Sequence, residues 1–168
     1  MFTNVKSLIE ESKKYPSVAE MMIEIEIEQT GRSENQIRNL MERNLETMLN
    51  SISEGLKGKK STTGLTGGDG LLMDEYIKSE KGLSGDIILG AARDAVAVNE
   101  VNAQMGLICA TPTAGSAGCL PGVLTAATKK LGLTRKEQLD FLFCGGAFGL
   151  AIANNATISG AEGGCQAE

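Results

Sequence analysis

Histidine is absent from all 168 residues. That excludes a Ser-His-Asp triad, an imidazole zinc centre and ordinary histidine acid–base chemistry. The cysteines, at positions 109, 119, 144 and 165, lie too far apart for a Cys-x-x-Cys zinc or redox motif. A basic excess is missing too. The net charge is -5 and the pI is near 4.9, and there is little aromatic interleaving, so a nucleic-acid surface is not expected. Each apolar run is interrupted by polar or charged residues before it could span a membrane. No signal peptide is expected, because Met1 to Asn4 lead straight into an amphipathic pattern. The chain reads as soluble and cytoplasmic, without disulfides, and long enough for one domain.

No stretch reads as a strand and no internal repeat is found, and the fold expected is mainly α, a multi-helix domain with glycine- and hydroxyl-rich loops. A short helix around Val5, Leu8 and Ile9 ends near Tyr15-Pro16. Capping boxes start helices at Ser17-Val18-Ala19-Glu20, Ser33-Glu34-Asn35-Gln36 and Thr134-Arg135-Lys136-Glu137. Met21 to Glu28 alternates with period two, a strand signal, but its cap, its glutamates and the stop at Gly31 favour helix. Ile37, Leu40, Met41, Leu45, Met48, Leu49, Ile52 and Leu56 fall at helical spacing. A short helix is expected over Leu71 to Ser79. A small-residue helix follows from Asp86 to Ile108, capped by Ser84 and placed inside the fold. The next has Pro121 as its first residue and ends at Gly132. The last, from Leu139 to Ile152, is largely apolar and reads as buried, with Cys144 as a core thiol. The arrangement expected is one domain over 1–168, with outer amphipathic helices over 1–56 and a site-bearing core over 57–168.

Three runs are not explained by packing. Ser61-Thr62-Thr63-Gly64-Leu65-Thr66-Gly67-Gly68-Asp69-Gly70 is either a flexible linker or a loop whose N–H groups cradle an anion. It is not a Walker A loop, for no Gly-Lys-Ser/Thr follows. Ile108-Cys109-Ala110-Thr111-Pro112-Thr113-Ala114-Gly115-Ser116-Ala117-Gly118-Cys119 combines thiols, hydroxyls and glycines. Asn154-Asn155-Ala156-Thr157-Ile158-Ser159-Gly160-Ala161-Glu162-Gly163-Gly164-Cys165-Gln166 repeats those ingredients. Cys109 and Cys165 both sit in such loops, and thiolates without histidine or a carboxylate cluster suit iron–sulfur ligation better than magnesium or calcium. Free buried cysteines are the plain alternative. Asn99 and Asn102 share a helix face and are either solvated or turned toward the central loop.

These runs, with the opening Met1-Phe2-Thr3-Asn4-Val5-Lys6, resemble the iron–sulfur L-serine dehydratase α chain over essentially the whole sequence. The resemblance implies a mainly helical chain and a [4Fe–4S] cluster held by three cysteines, with one iron open to substrate. It implies conversion of L-serine to pyruvate and ammonia, pairing with a separate β chain, and an oligomer. Carried over, Cys109 and Cys165 become cluster ligands, with Cys119 as an outside candidate and the third family cysteine expected beyond Glu168. The sequence thus reads as a fragment, which puts activity of this chain by itself in doubt. Substrate-carboxylate donors are assigned to Ser61, Thr62, Thr63, Gly64, Thr66 and Gly67, with Thr113 and Gly115, and Asn154 and Ser159 complete the pocket. No general base is assigned; Lys59 and Lys60 are close to the glycine loop. The alternatives are a cysteine desulfidase of the same family, a pyridoxal-phosphate dehydratase using Lys59 or Lys60, and a non-catalytic helical subunit.

Overall fold

The computed structural model describes residues 2–79, 82–159 and 162. Seven helices follow one another, with no strand among the described residues: α1 Val5–Ser12, α2 Val18–Thr30, α3 Glu34–Gly55, α4 Asp69–Lys78, α5 Asp86–Ala103, α6 Cys119–Leu131 and α7 Arg135–Ala153. The mainly α expectation therefore holds. Short-range chemistry sets most of the starts. Ser33 and Thr134 form complete capping boxes with Gln36 and Glu137. Ser17 caps α2 through the Glu20 amide, but the Glu20 carboxylate turns away and pairs with Arg38 of α3 at 3.0 Å.

The period-two stretch of α2 has a tertiary explanation. Met21 and Ile23 lie about 200° apart around a helix, yet both are buried. Met21 enters a cluster with Phe2, Leu8 and Ala147, and Ile23 one with Leu45, Leu124 and Phe143. The helix is flanked on two sides by apolar partners, so a helical segment carries alternating apolar residues.

Helix α5 is the hub, as its small residues suggest. It packs against α3, α4 and α6, and glycines on its neighbours make the approach possible. A Cβ at Gly55 of α3 would lie 2.1 Å from the Ala97 carbonyl oxygen. One at Gly118 would lie 2.2 Å from the Ala95 oxygen, and one at Gly122 2.5 Å from the Ala91 oxygen. A buried polar knot fastens the same helix. Asp94 accepts from Thr125 Oγ1 of α6 at 2.6 Å and from Arg93 Nε at 2.8 Å, while Arg93 reaches Asp74 of α4 at 2.6 Å.

Several boundaries differ from expectation. Helix α5 stops at Ala103, five residues short of Ile108, in a Schellman turn: Met105 N–H donates to Asn102 O and Gly106 N–H to Val101 O. Met105 takes the left-handed position at φ 62 that glycine usually fills, which hid the stop. The start of α5 carries no side-chain cap, and Gly85, not Ser84, is its N-cap. Helix α6 begins at Cys119, so Pro121 is its third residue. There its missing N–H removes a donor that has no intrahelical partner anyway. The last helix is buried along Leu139, Leu142, Phe143, Ala147 and Ala151, but Phe148 and Ile152 stand exposed. Cys144 is half-buried, and burial pushes its thiol pKa up.

Candidate functional site

The last turn and cap of α5 hold two of the three unusual runs, the glycine loop over 61–70 and the central loop over 108–119. Asn102 Nδ2 donates to the Ala114 carbonyl at 3.4 Å, and Gln104 Nε2 to the Lys59 carbonyl at 2.9 Å. Glu100 Oε1 accepts the Asp69 and Gly70 N–H groups at 2.5 and 3.3 Å. Asn102 thus reaches the central loop, while Asn99 stays exposed. Glu100 was not visible in the sequence as a site residue. It is 5% exposed, and its second oxygen, Oε2, is buried with no hydrogen-bond partner. Its carboxylate occupies the N-terminus of α4, the positive end of that helix dipole.

The glycine loop folds on itself beside that contact. Ser61 is buried; its N–H donates to Thr66 O at 2.8 Å and its Oγ accepts from Thr66 N–H at 3.3 Å. Thr62, Thr63, Gly64 and Thr66 are exposed, and Gly67 is buried at φ 112. A Cβ at Gly67 would stand 2.2 Å from the Lys59 oxygen, so glycine is required there twice over. Lys60 Nζ donates to the Gly67 carbonyl and Lys59 pairs with Glu54 at 3.5 Å, so both lysines are engaged. Replacing Glu100 by alanine is expected to cost about 2 kcal/mol, because two helix N–H groups lose their acceptor. Hydrogen exchange of the Asp69 and Gly70 amides should accelerate in that variant, and unchanged exchange would exclude this role.

The central loop is closed by its own hydroxyls. Thr111 Oγ1 donates to Ser116 O at 2.9 Å, Ser116 Oγ donates to Thr111 O at 2.8 Å, and the Thr113 and Ser116 hydroxyls meet at 3.0 Å. Thr113 is buried within this ring and Gly115 is exposed. The Thr111–Pro112 peptide is cis. Both ends of the loop face a cavity of about 870 Å³ between α3, α6 and α7, which Cys109 and Cys119 line together with Met41, Leu142 and Phe148. The lining is mostly apolar. Cys109 is half-buried; burial pushes its thiol pKa up, against a smaller lowering by a hydrogen bond with Thr47. Cys119 is exposed.

Among the described residues, the structure brings Cys109 and Cys119 to one cavity, with Thr111 and Pro112 beside them. Ser61 to Gly67, Thr113, Gly115, Asn154 and Ser159 do not line it. Asn154 is the C-cap of α7, and it and Ser159 are exposed. Cys165 lies outside the described residues. No group of three or more His, Cys, Asp or Glu side chains placed to hold a metal ion is found among the described residues. Nor is any helix among them long and apolar enough to cross a membrane.

The serine dehydratase alpha chain family model matches residues 13–168. The chain is 54% identical over 169 residues to the probable L-serine dehydratase, alpha chain, of Bacillus subtilis, spanning 100% of this chain and 56% of that one. It is 35% identical over 152 residues to the L-serine dehydratase, alpha chain, of Peptoniphilus asaccharolyticus, spanning 90% of this chain and 52% of the relative. A probable L-serine dehydratase, alpha chain, of Latilactobacillus sakei shares 64% identity over 83 residues, 49% of this chain and 40% of that one. No solved structure matches. The chain spans about half the length of the curated relatives it matches. By the extent of these matches, the chain belongs to the serine dehydratase alpha chain family.

Proposed function

We propose that this chain carries part of the catalytic machinery of an L-serine ammonia-lyase, which turns L-serine into pyruvate and ammonia with a [4Fe–4S] cluster and pairs with a β chain. The observation that carries the reading is that Cys109 and Cys119 both line one cavity in a member of this family. Two thiols, with no histidine in the chain, are the donor chemistry of an iron–sulfur site. Cys109 and Cys165 are the proposed ligands, Cys119 is the further candidate from the cavity wall, and the half of the family length outside this chain supplies the remainder. When bound, such a cluster offers a Lewis-acidic iron for the serine β-hydroxyl.

The chain's own residues bind and orient. Ser61, Thr62, Thr63, Gly64, Thr66 and Gly67, with Thr113 and Gly115, are proposed to hold the substrate carboxylate, and Asn154 and Ser159 to complete the pocket. Ser61 and Thr113, both buried, act through the shape of their loops; the exposed Thr62, Thr63 and Thr66 hydroxyls are the direct donors. Glu100, Asn102 and Gln104 tie both loops to one helix end, which keeps them in a fixed relation. Loss of the α-proton and the β-hydroxyl gives aminoacrylate, which water hydrolyses to pyruvate and ammonia.

The test is pyruvate release from L-serine under anaerobic conditions, by this chain joined to the part of the Bacillus subtilis relative that it does not span and mixed with a β chain of the same enzyme class. Pyruvate is expected from L-serine, falling to background in Cys109→Ser. Faster sulfide release from L-cysteine would instead make it a desulfidase. A cluster-loaded protein inactive on both would refute the reading.

A further inference from the structure

Glycine is among the poorest helix formers, yet α7 carries Gly145, Gly146 and Gly149 on the wall of the large cavity. Several helix glycines are explained by close neighbours, as at Gly55 and Gly122, whereas Gly90 of α5 also faces open space. A Cβ at Gly145 would approach Leu120 at 3.2 Å, which explains that position in part. At Gly146 and Gly149 a Cβ would meet nothing within 4 Å. Nothing among the described residues, then, requires these two glycines. Beside them Phe148 and Ile152 are 46% and 47% exposed, and Val123 on α6 is 53% exposed. A contiguous apolar wall of this kind marks an interaction surface. The chain also spans only 56% and 52% of two relatives, so nearly half of the family's length is outside it.

We propose that an apolar helix from that unspanned half of the α chain docks into this groove. Its backbone lies close against Gly146 and Gly149, and Phe148 and Ile152 flank it. Gly145 and Gly149, like Phe148 and Ile152, are four residues apart, so a ridge of small residues runs beside a ridge of large ones along α7. A partner helix fits such a surface by ridge-into-groove packing, and side chains reduced to hydrogen shorten the distance between axes. A helix seated there closes the cavity over Cys109 and Cys119. The inference stands on the groove and on family length, and does not depend on the iron–sulfur reading.

Hydrogen exchange of metal-free protein tests it. This chain is compared with the same chain fused to the unspanned part of the Bacillus subtilis relative. Exchange over residues 145–152 is expected to slow by about tenfold or more in the fusion, and Gly149→Leu in the fusion should restore the faster rate. Equal exchange over 145–152 in the two proteins overturns the proposal. So does full protection in the chain alone, including protection that rises with its concentration, which would seat a second copy in the groove. A second measurement needs no fusion. Gly146→Ala and Gly149→Ala in the chain alone should each raise the melting temperature by about 3 °C. A fall in either would mean that the chain itself needs those glycines, and would overturn the proposal.

Discussion

Gly118→Ala is expected to destabilise the chain by about 3 kcal/mol, the upper range for overpacking a core. The added methyl would lie 2.2 Å from the Ala95 carbonyl oxygen and 2.9 Å from the Ala95 carbonyl carbon. Both are backbone atoms of the hub helix, so no side chain can swing aside. The φ of Gly118 is -81, which suits any residue, so the cost is one of space and not of backbone conformation. Relief requires α6 to move off α5, carrying Cys119 and Leu120 with it and widening the cavity. Chemical unfolding gives the stability, and Gly146→Ala serves as the control because its Cβ would enter open space. If Gly118→Ala unfolded at the wild-type midpoint, the packing of α6 on α5 described above would be wrong.

Asp94→Ala is expected to cost about 3 kcal/mol, in the range for removing one partner of a buried ion pair. Asp94 is 4% exposed and takes bonds from Thr125 Oγ1 and the Arg93 guanidinium. Its loss leaves a partly buried cation with Asp74 alone. Thr125→Ala should cost less, about 1 kcal/mol, because it removes a neutral donor. The two changes should be non-additive, since they share one bond. Asp74 adds a pH dependence. The hydrogen bond from Lys78 is the largest effect on its carboxyl; burial opposes it, and the Arg93 hydrogen bond and the two nearby cations bring the pKa below the ordinary value. Its folded-state pKa lies below the unfolded one, so the stability it adds is present above the unfolded pKa and is lost as pH falls through the folded one. Urea unfolding of wild type and variants at neutral and acidic pH reads all of this; an Asp94→Ala protein within about 0.5 kcal/mol of wild type would exclude the knot as a main fastening.

Local chemistry made much of the fold readable. A cap needs only four residues, so Ser17, Ser33 and Thr134 announced three helix starts, and Gly31 and Gly132 announced two ends. The small residues of α5 announced a central helix because close packing leaves a compositional trace. What failed to show was tertiary. The end of α5 depends on Met105 adopting a left-handed conformation that its side chain does not advertise. The half-formed box at Ser17 depends on Arg38, distant in sequence, claiming Glu20. At the site, the special loops stood out by their glycines, hydroxyls and thiols. Glu100 did not, because a glutamate in a helix looks like any solvated charge until its neighbours are known. Cys119 shares a cavity with Cys109 only through the turn of the loop between them, which no local pattern shows.

Iron and acid-labile sulfide content, measured after anaerobic purification of this chain completed with the family length it does not span, tests the proposed chemistry most directly. The same assay is run on Cys109→Ser and Cys165→Ser. Iron and sulfide in cluster stoichiometry, lost in both variants, is the predicted result. A completed protein that is folded and free of iron, or variants that keep their full iron and sulfide, would contradict it.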